Sequence, residues 1–145
     1  LGVTGITPRH HKTISTDIRI KDREWQTKDI LYWKQFNISK ELAIRYNVYP
    51  ISHYWVNQHM FTVKTGELAY AFLEGTKFQI YQPYANKDKK WFSNTGSMIY
   101  GYDQLPPFGE LLIITSSKKD ILTLTSLGYN AVSPNNEGSK LPEDK

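Results

Sequence analysis

The sequence predicts a mixed α/β fold: a short helical lead-in, an antiparallel sheet, then the opening strand–helix–strand unit of a parallel arrangement. Three observations predict it. Apolar residues at helical spacing between Thr27 and Tyr46 give two short helices. β-rich runs divided by closely spaced turn residues fill Ile51 to Gln82. The apolar run Leu111–Thr115 leads into an amphipathic stretch ending at Gly128 and then a second β-prone run.

At 145 residues the chain has the size of one domain. It contains no cysteine, which excludes disulfides, thiolate zinc sites and thiol nucleophiles. No apolar run approaches the roughly 18–20 residues of a membrane span, so no membrane partner is expected. The lack of cysteine is compatible with a reducing cytoplasm, the location expected. The four histidines, His10, His11, His53 and His59, lack metal-site spacing, and no metal ligands are assigned. The formal charge of +4 and pI of about 9.2 favour anionic partners such as nucleic acid. A start at Leu1 rather than Met reads as an excised fragment.

Taken in order, residues 1–22 are assigned to a flexible arm, at whose end Ile18, Ile20 and Trp25 suit a short strand entering the fold. Thr27 is placed to cap a helix whose Ile30, Leu31, Trp33 and Phe36 face inward, and Ser39 to cap a second with Leu42, Ala43 and Tyr46 inward. Asn47 and Pro50 end the second helix. The pair has the spacing of a helix-turn-helix but no row of groove-reading side chains, so a helical hairpin beside a sheet is the preferred reading. Ile51–Val56, Met60–Val63, Leu68–Leu73 and Lys77–Gln82 then form an antiparallel meander, with turns at Asn57-Gln58, Lys64–Glu67 and Glu74–Thr76. Trp25, Trp33 and Trp55 are assigned to the core. The helical hairpin and sheet occupy residues 23–104, and the strand–helix–strand unit residues 105–145.

Leu111–Thr115 reads as a strand buried on both faces. Ser117 and Asp120 have capping-box spacing, and Gly128 suits a left-handed helix end. Ile121, Leu122, Leu124, Thr125 and Leu127 fill one helix face, and Tyr129–Val132 begins the next strand.

Two groups carry candidate chemistry. Lys87, Lys89, Lys90 and Trp91, with Lys77 nearby, combine cations with an aromatic face. Phosphates would meet the lysines and a base would stack on Trp91. The competing reading is a solvated loop anchored by Trp91. Ser116, Ser117, Lys118 and Asp120 lie where a strand becomes a helix, and helix-start N–H groups attract anions. For Ser117 and Asp120 the competing reading is plain capping and dipole stabilisation. A serine nucleophile lacks both the GxSxG elbow and a partner.

ELLIITSSKKDILTLTSLGYNAVSPNNEG resembles the first half of a Toprim domain, as found in bacterial and phage DNA primases. The family's apolar strand, acidic residue with a small neighbour, helix with Asp, Gly-ended helix, following strand and small-residue loop correspond to Ile113-Ile114-Thr115, Ser116-Ser117, Asp120, Leu127-Gly128, Ala131–Ser133 and Pro134–Gly138. KFQIYQPYANKDKKWFSNTGSMIYGYDQLP resembles the primase segment just before Toprim, matching at Lys77, Lys87, Lys89, Lys90, Trp91 and Ile99–Gly101. The resemblance covers most of the chain from Trp25 onward.

It implies part of a phage-type primase making RNA primers on single-stranded DNA. Its partners would be template, ribonucleotides and a replicative helicase, and the full-length protein would use Mg2+ or Mn2+. By position, Ser116 and Asp120 fall in the catalytic motif and Ser117 and Lys118 beside phosphate.

Two departures stand out. Ser116 replaces the family's metal-associated Glu, and the later Asp-x-Asp motif is absent, since Glu137, Glu143 and Asp144 lack its spacing. Either the metal-binding acids lie beyond Lys145, or the chain is a non-catalytic module that binds single-stranded nucleic acid. A protein-interaction unit using exposed aromatics is a third possibility.

Overall fold

The computed structural model describes residues 17–93 and 99–134. Residues 1–16 and the Pro134–Gly138 loop beyond Pro134 lie outside the described residues. The fold is mixed α/β with an antiparallel main sheet. Among the described residues no helix is long and apolar enough to cross a membrane.

The main sheet has six strands: β1 (Ile18–Asp22), β2 (Val48–Val56), β3 (His59–Thr62), β4 (Tyr70–Glu74), β5 (Lys77–Tyr81) and β6 (Trp91–Ser93). It is not the simple meander expected. The order is β1-β2-β4-β5-β6, all antiparallel, and β3 also pairs with β2. Nine-residue β2 serves both neighbours in succession, with Val48–Pro50 bonded to β4 and His53–Val56 to β3. The run Ile51–Val56 therefore starts three residues early, and Pro50 lies within the strand instead of ending a helix. Asn57 and Gln58 turn β2 into β3 with positive φ at both residues, a conformation suited to a tight hairpin. The short strand expected through Ile18 and Ile20 is β1, Ile18–Asp22, which takes the end of the expected arm into the sheet and pairs with β2 across a bulge at Lys21/Asp22.

The helices α1 (Thr27–Lys34) and α2 (Lys40–Arg45) lie between β1 and β2. Ser39 caps α2 as expected, its Oγ accepting from Leu42 N–H at 3.1 Å. In α1 the cap differs. Gln26 is the N-cap residue, and Asp29 accepts its N–H at 2.8 Å. The inward face differs too: Tyr32 and Trp33 are buried, whereas Ile30 is exposed and Leu31 is 62% exposed. Asp29, fully buried, fixes this rotation. Arg23 donates to both its carboxylate oxygens at 2.7 and 2.8 Å, and the Tyr70 hydroxyl donates at 2.9 Å. Burial alone would raise the carboxyl pKa; those donors outweigh it and hold Asp29 below the usual range.

A second, three-stranded sheet has the order β7-β9-β8, where β7 is Ile99–Tyr100, β8 Ile113–Ile114 and β9 Ala131–Pro134. β8 and β9 run parallel, with Ala131 opposite Ile113, and α3 (Lys118–Ser126) connects them. The expected strand–helix–strand order is thus present. The expected burial of Leu111–Thr115 is not: β8 is two residues long, Leu111 and Leu112 are exposed, and Ile114 is 54% exposed. Among the described residues β8 ends its sheet, with β9 as its neighbour on one side. Of the expected α3 face, Ile121 and Leu122 are buried but Leu127 is exposed. Gly128 takes φ +92 as expected of a helix end, and Tyr129 N–H returns to the Leu124 carbonyl at 2.9 Å. The final strand starts two residues later than read, so Ser133 is buried within β9.

One apolar cluster joins the two sheets, bringing Trp33, Val48, Phe72 and Tyr81 together with Tyr100, Ile121 and Ala131. The buried Tyr100 hydroxyl donates to the Tyr46 carbonyl, and Thr125 donates to the Tyr46 hydroxyl at 3.2 Å. The opposite side of the main sheet holds a smaller cluster around Ile18, Ile51, Ala71 and Ile80.

Candidate nucleic-acid interface

The main-sheet end of the interface is built by β5 and β6. Trp91 opens β6 opposite Tyr81, and the rings stack with centroids 4.2 Å apart and planes 26° apart. Trp91 is also tilted against Phe72 at 5.3 Å. It therefore anchors its loop to the core, as the competing reading proposed, while staying partly exposed. Lys87 and Lys89 lie exposed on a 3-10 turn, Lys87–Lys89. Gln82 holds that turn in place: its N–H donates to the Lys90 carbonyl at 2.8 Å and its side-chain amide to the Lys89 carbonyl at 3.1 Å. Lys77 is not part of this group. It opens β5 opposite Glu74, four residues from Tyr81, a separation of ~14 Å at the rise of a strand.

The second end comes from the turn between β8 and α3. Ser117 precedes the helix, but its hydroxyl makes no capping bond. Thr115 instead braces the turn: its Oγ1 accepts Ser117 N–H at 3.3 Å and donates to Asp120 Oδ2 at 3.1 Å. The sequence reading missed Thr115 because it assigned that residue to a buried strand. Asp120 is exposed and sits in the first turn, where the helix dipole favours an anion. Ser116 is exposed just before it.

Lys118 is only 3% exposed, and among the described residues no acid forms an ion pair with it. Loss of hydration lowers its ammonium pKa to about 8. Between that value and the ordinary ~10.4 the unfolded chain holds a proton that the folded chain does not, so this group makes stability rise with pH across that interval. Lys118→Met is accordingly expected to raise the urea midpoint at pH 7, with the gain shrinking as pH climbs toward ~10.4.

The structure joins the two sequence motifs through Lys119, which the sequence reading passed over. Its Nζ lies 4.5 Å from the ring centre of Phe36 and 5.4 Å from that of Tyr81, the ring that stacks on Trp91. Tyr84, 66% exposed, stands edge-on to Tyr32 at 6.2 Å, and the Tyr32 hydroxyl lies 2.8 Å from that of Tyr81. Cations from α3 and from the turn before β6 thus flank one aromatic group. The signal available in the sequence was Lys119 next to Lys118, but only the fold carries it to Tyr81.

The divalent ion implied by the resemblance does not fit these residues. Ser116 offers a neutral hydroxyl, and Asp120 a single carboxylate already engaged by Thr115. Among the described residues no three His, Asp or Glu side chains come together as a metal site, whereas a divalent site needs several oxygen ligands.

No family model matches the chain, and comparison with curated proteins and with solved structures also found no match.

Proposed function

We propose that this chain binds single-stranded nucleic acid, as the template-holding part of a primase-type protein. The observation that supports binding most directly is the Lys119–Tyr81–Trp91 stack, with Lys87, Lys89 and Lys90 on the adjoining turn. Lysines contribute attraction to phosphates without sequence preference, and partly exposed aromatic rings such as Tyr84 and Trp91 offer surfaces on which bases stack. A single strand suits this surface because its bases are open to stacking, and no helix among the described residues has the row of side chains that reads a duplex groove. The primase affiliation rests on the resemblance together with the parallel β8–α3–β9 connection, which sets Ser116 at the end of β8. Catalysis by this stretch would need more carboxylates than the single one of Asp120, so the proposal for these residues is binding.

The test is fluorescence anisotropy with a labelled oligothymidylate across a salt series. Replacing Lys87, Lys89, Lys90 and Lys119 together by Ala is expected to weaken binding at low salt. The plot of log affinity against log salt should also flatten, by ~0.7 for each phosphate no longer neutralised. Unchanged affinity and slope in a folded variant would overturn the proposed surface.

A further inference from the structure

We propose a second contact for single-stranded nucleic acid on the ribbon β1–β2–β3, centred on Trp55. It rests on the nucleic-acid reading above and extends it to a region the sequence had assigned to the core.

Strand register places six side chains together. Arg19 lies opposite Trp55, and Trp55 opposite Met60; in the next rung Lys21 faces His53, and His53 faces Thr62. Side chains of paired residues share a face, so these six residues form one surface. The alternate residues Ile18, Ile20 and Tyr54 turn the other way, into the smaller apolar cluster. Trp55 belongs to neither core cluster and is partly exposed, while Arg19, Lys21, Met60 and Thr62 are exposed.

The rings are already arranged as a platform. His53 and Trp55 are 6.2 Å apart with planes at 27°, and the Arg19 guanidinium carbon is 5.7 Å from the Trp55 ring centre. A planar ring bordered by cations suits a base with its phosphates, since the ring takes the base face and the cations take the backbone. Asp17 lies beside this edge, 3.6 Å from Arg19 Nε. That pair is exposed on both sides, where an ion pair is worth little and yields readily to a phosphate. The occupant indicated is therefore anionic and aromatic, and unpaired, because only unpaired bases present their faces to such a ring.

Followed through the bulge opposite Lys21/Asp22, the alternation of β2 puts Trp55 on the same side of the sheet as Trp91. The two lie on the order of 20 Å apart by strand spacing and rise. A strand engaging both surfaces would have to be long, whereas a short one would reach either alone. Known single-strand-binding domains of the OB type take ~4–16 nucleotides, which sets the scale of the probe.

The experiment compares wild type, Trp55→Ala, Trp55→Phe and the Arg19→Ala/Lys21→Ala pair by anisotropy. The probes are an oligothymidylate of about 16 nucleotides and an abasic strand of equal length. Trp55→Ala is expected to weaken oligothymidylate binding about tenfold and to leave the abasic strand unaffected, with Trp55→Phe restoring most of the loss. The double variant is expected to weaken both probes, because both carry phosphates. Circular dichroism checks that each variant folds. If Trp55→Ala binds oligothymidylate like wild type while the Lys87/Lys89/Lys90/Lys119 variant does not, the platform is overturned and the first surface stands. The reverse pattern keeps the platform and removes the first surface. If wild type binds neither probe, both proposals fall.

Discussion

Asp29→Ala is expected to lose about 3–5 kcal/mol of folding stability, the scale on which one partner of a buried ion pair is removed. The loss comes less from the missing carboxylate than from what stays behind. The Arg23 guanidinium would face an apolar pocket without the two oxygens it now meets at 2.7 and 2.8 Å, and Gln26 N–H and the Tyr70 hydroxyl would each lose an acceptor. Asp29→Asn, which keeps the shape and one acceptor but not the charge, is expected to fall between wild type and Ala. The effect also depends on pH. Because the Asp29 pKa is held below that of the unfolded chain, its contribution is complete above the unfolded value of ~3.9 and is lost as pH falls through the lower folded value. Urea midpoints for wild type and variant should converge in acid. A loss within ~1 kcal/mol at pH 7 would show that the pair does not hold α1 in place.

Gly101→Ala is expected to cost roughly 2–4 kcal/mol, combining backbone strain with overpacking. Gly101 has φ +88, and a Cβ there would stand 2.9 Å from the Ala131 carbonyl oxygen and 3.4 Å from an Ile121 methyl. Both neighbours belong to the second sheet and its helix, so the added methyl would press β9 and α3 away from the loop after β7. Gly75 supplies the control. Its φ is also positive, at +60, but nothing lies within 4 Å of the place a Cβ would take. Gly75→Ala should therefore show the strain alone, about 1 kcal/mol. Equal urea midpoints for the two variants would mean that the clash with Ala131 and Ile121 is relieved by small shifts of the second sheet and its helix.

What the sequence disclosed was mainly local. Ser39 as a cap, Asn57-Gln58 as a hairpin turn, Gly128 as a helix end and the strand–helix–strand order after residue 110 all follow from chemistry within a few residues, and all are present. The failures came from long-range partners. Leu111–Ile114 is apolar enough to read as a central strand, but centrality depends on how many neighbours arrive, and among the described residues only β9 does. The rotation of α1 could not be read from Ile30 and Leu31, because it is set by Arg23 and Tyr70 closing on Asp29. Tryptophan identity misled in the same way: Trp33 is core, while Trp55 is partly exposed and lies outside both core clusters. At the candidate interface the Lys87–Trp91 group was visible as a run, whereas Lys77 looked adjacent in the chain and lies at the far end of β5, and Lys119 acquired its place only through the packing of α3.

The aromatic chain that ends at Trp91 has a bearing on recognition. From Asp29 it runs through the Tyr70 hydroxyl to the Tyr70 ring stacked on Tyr32, then through the paired hydroxyls of Tyr32 and Tyr81 to the indole. Each link fixes a torsion of the next side chain, so the indole is immobilised before any ligand arrives. Little rotational freedom is then left to surrender on association, and a nucleobase meets a rigid shelf.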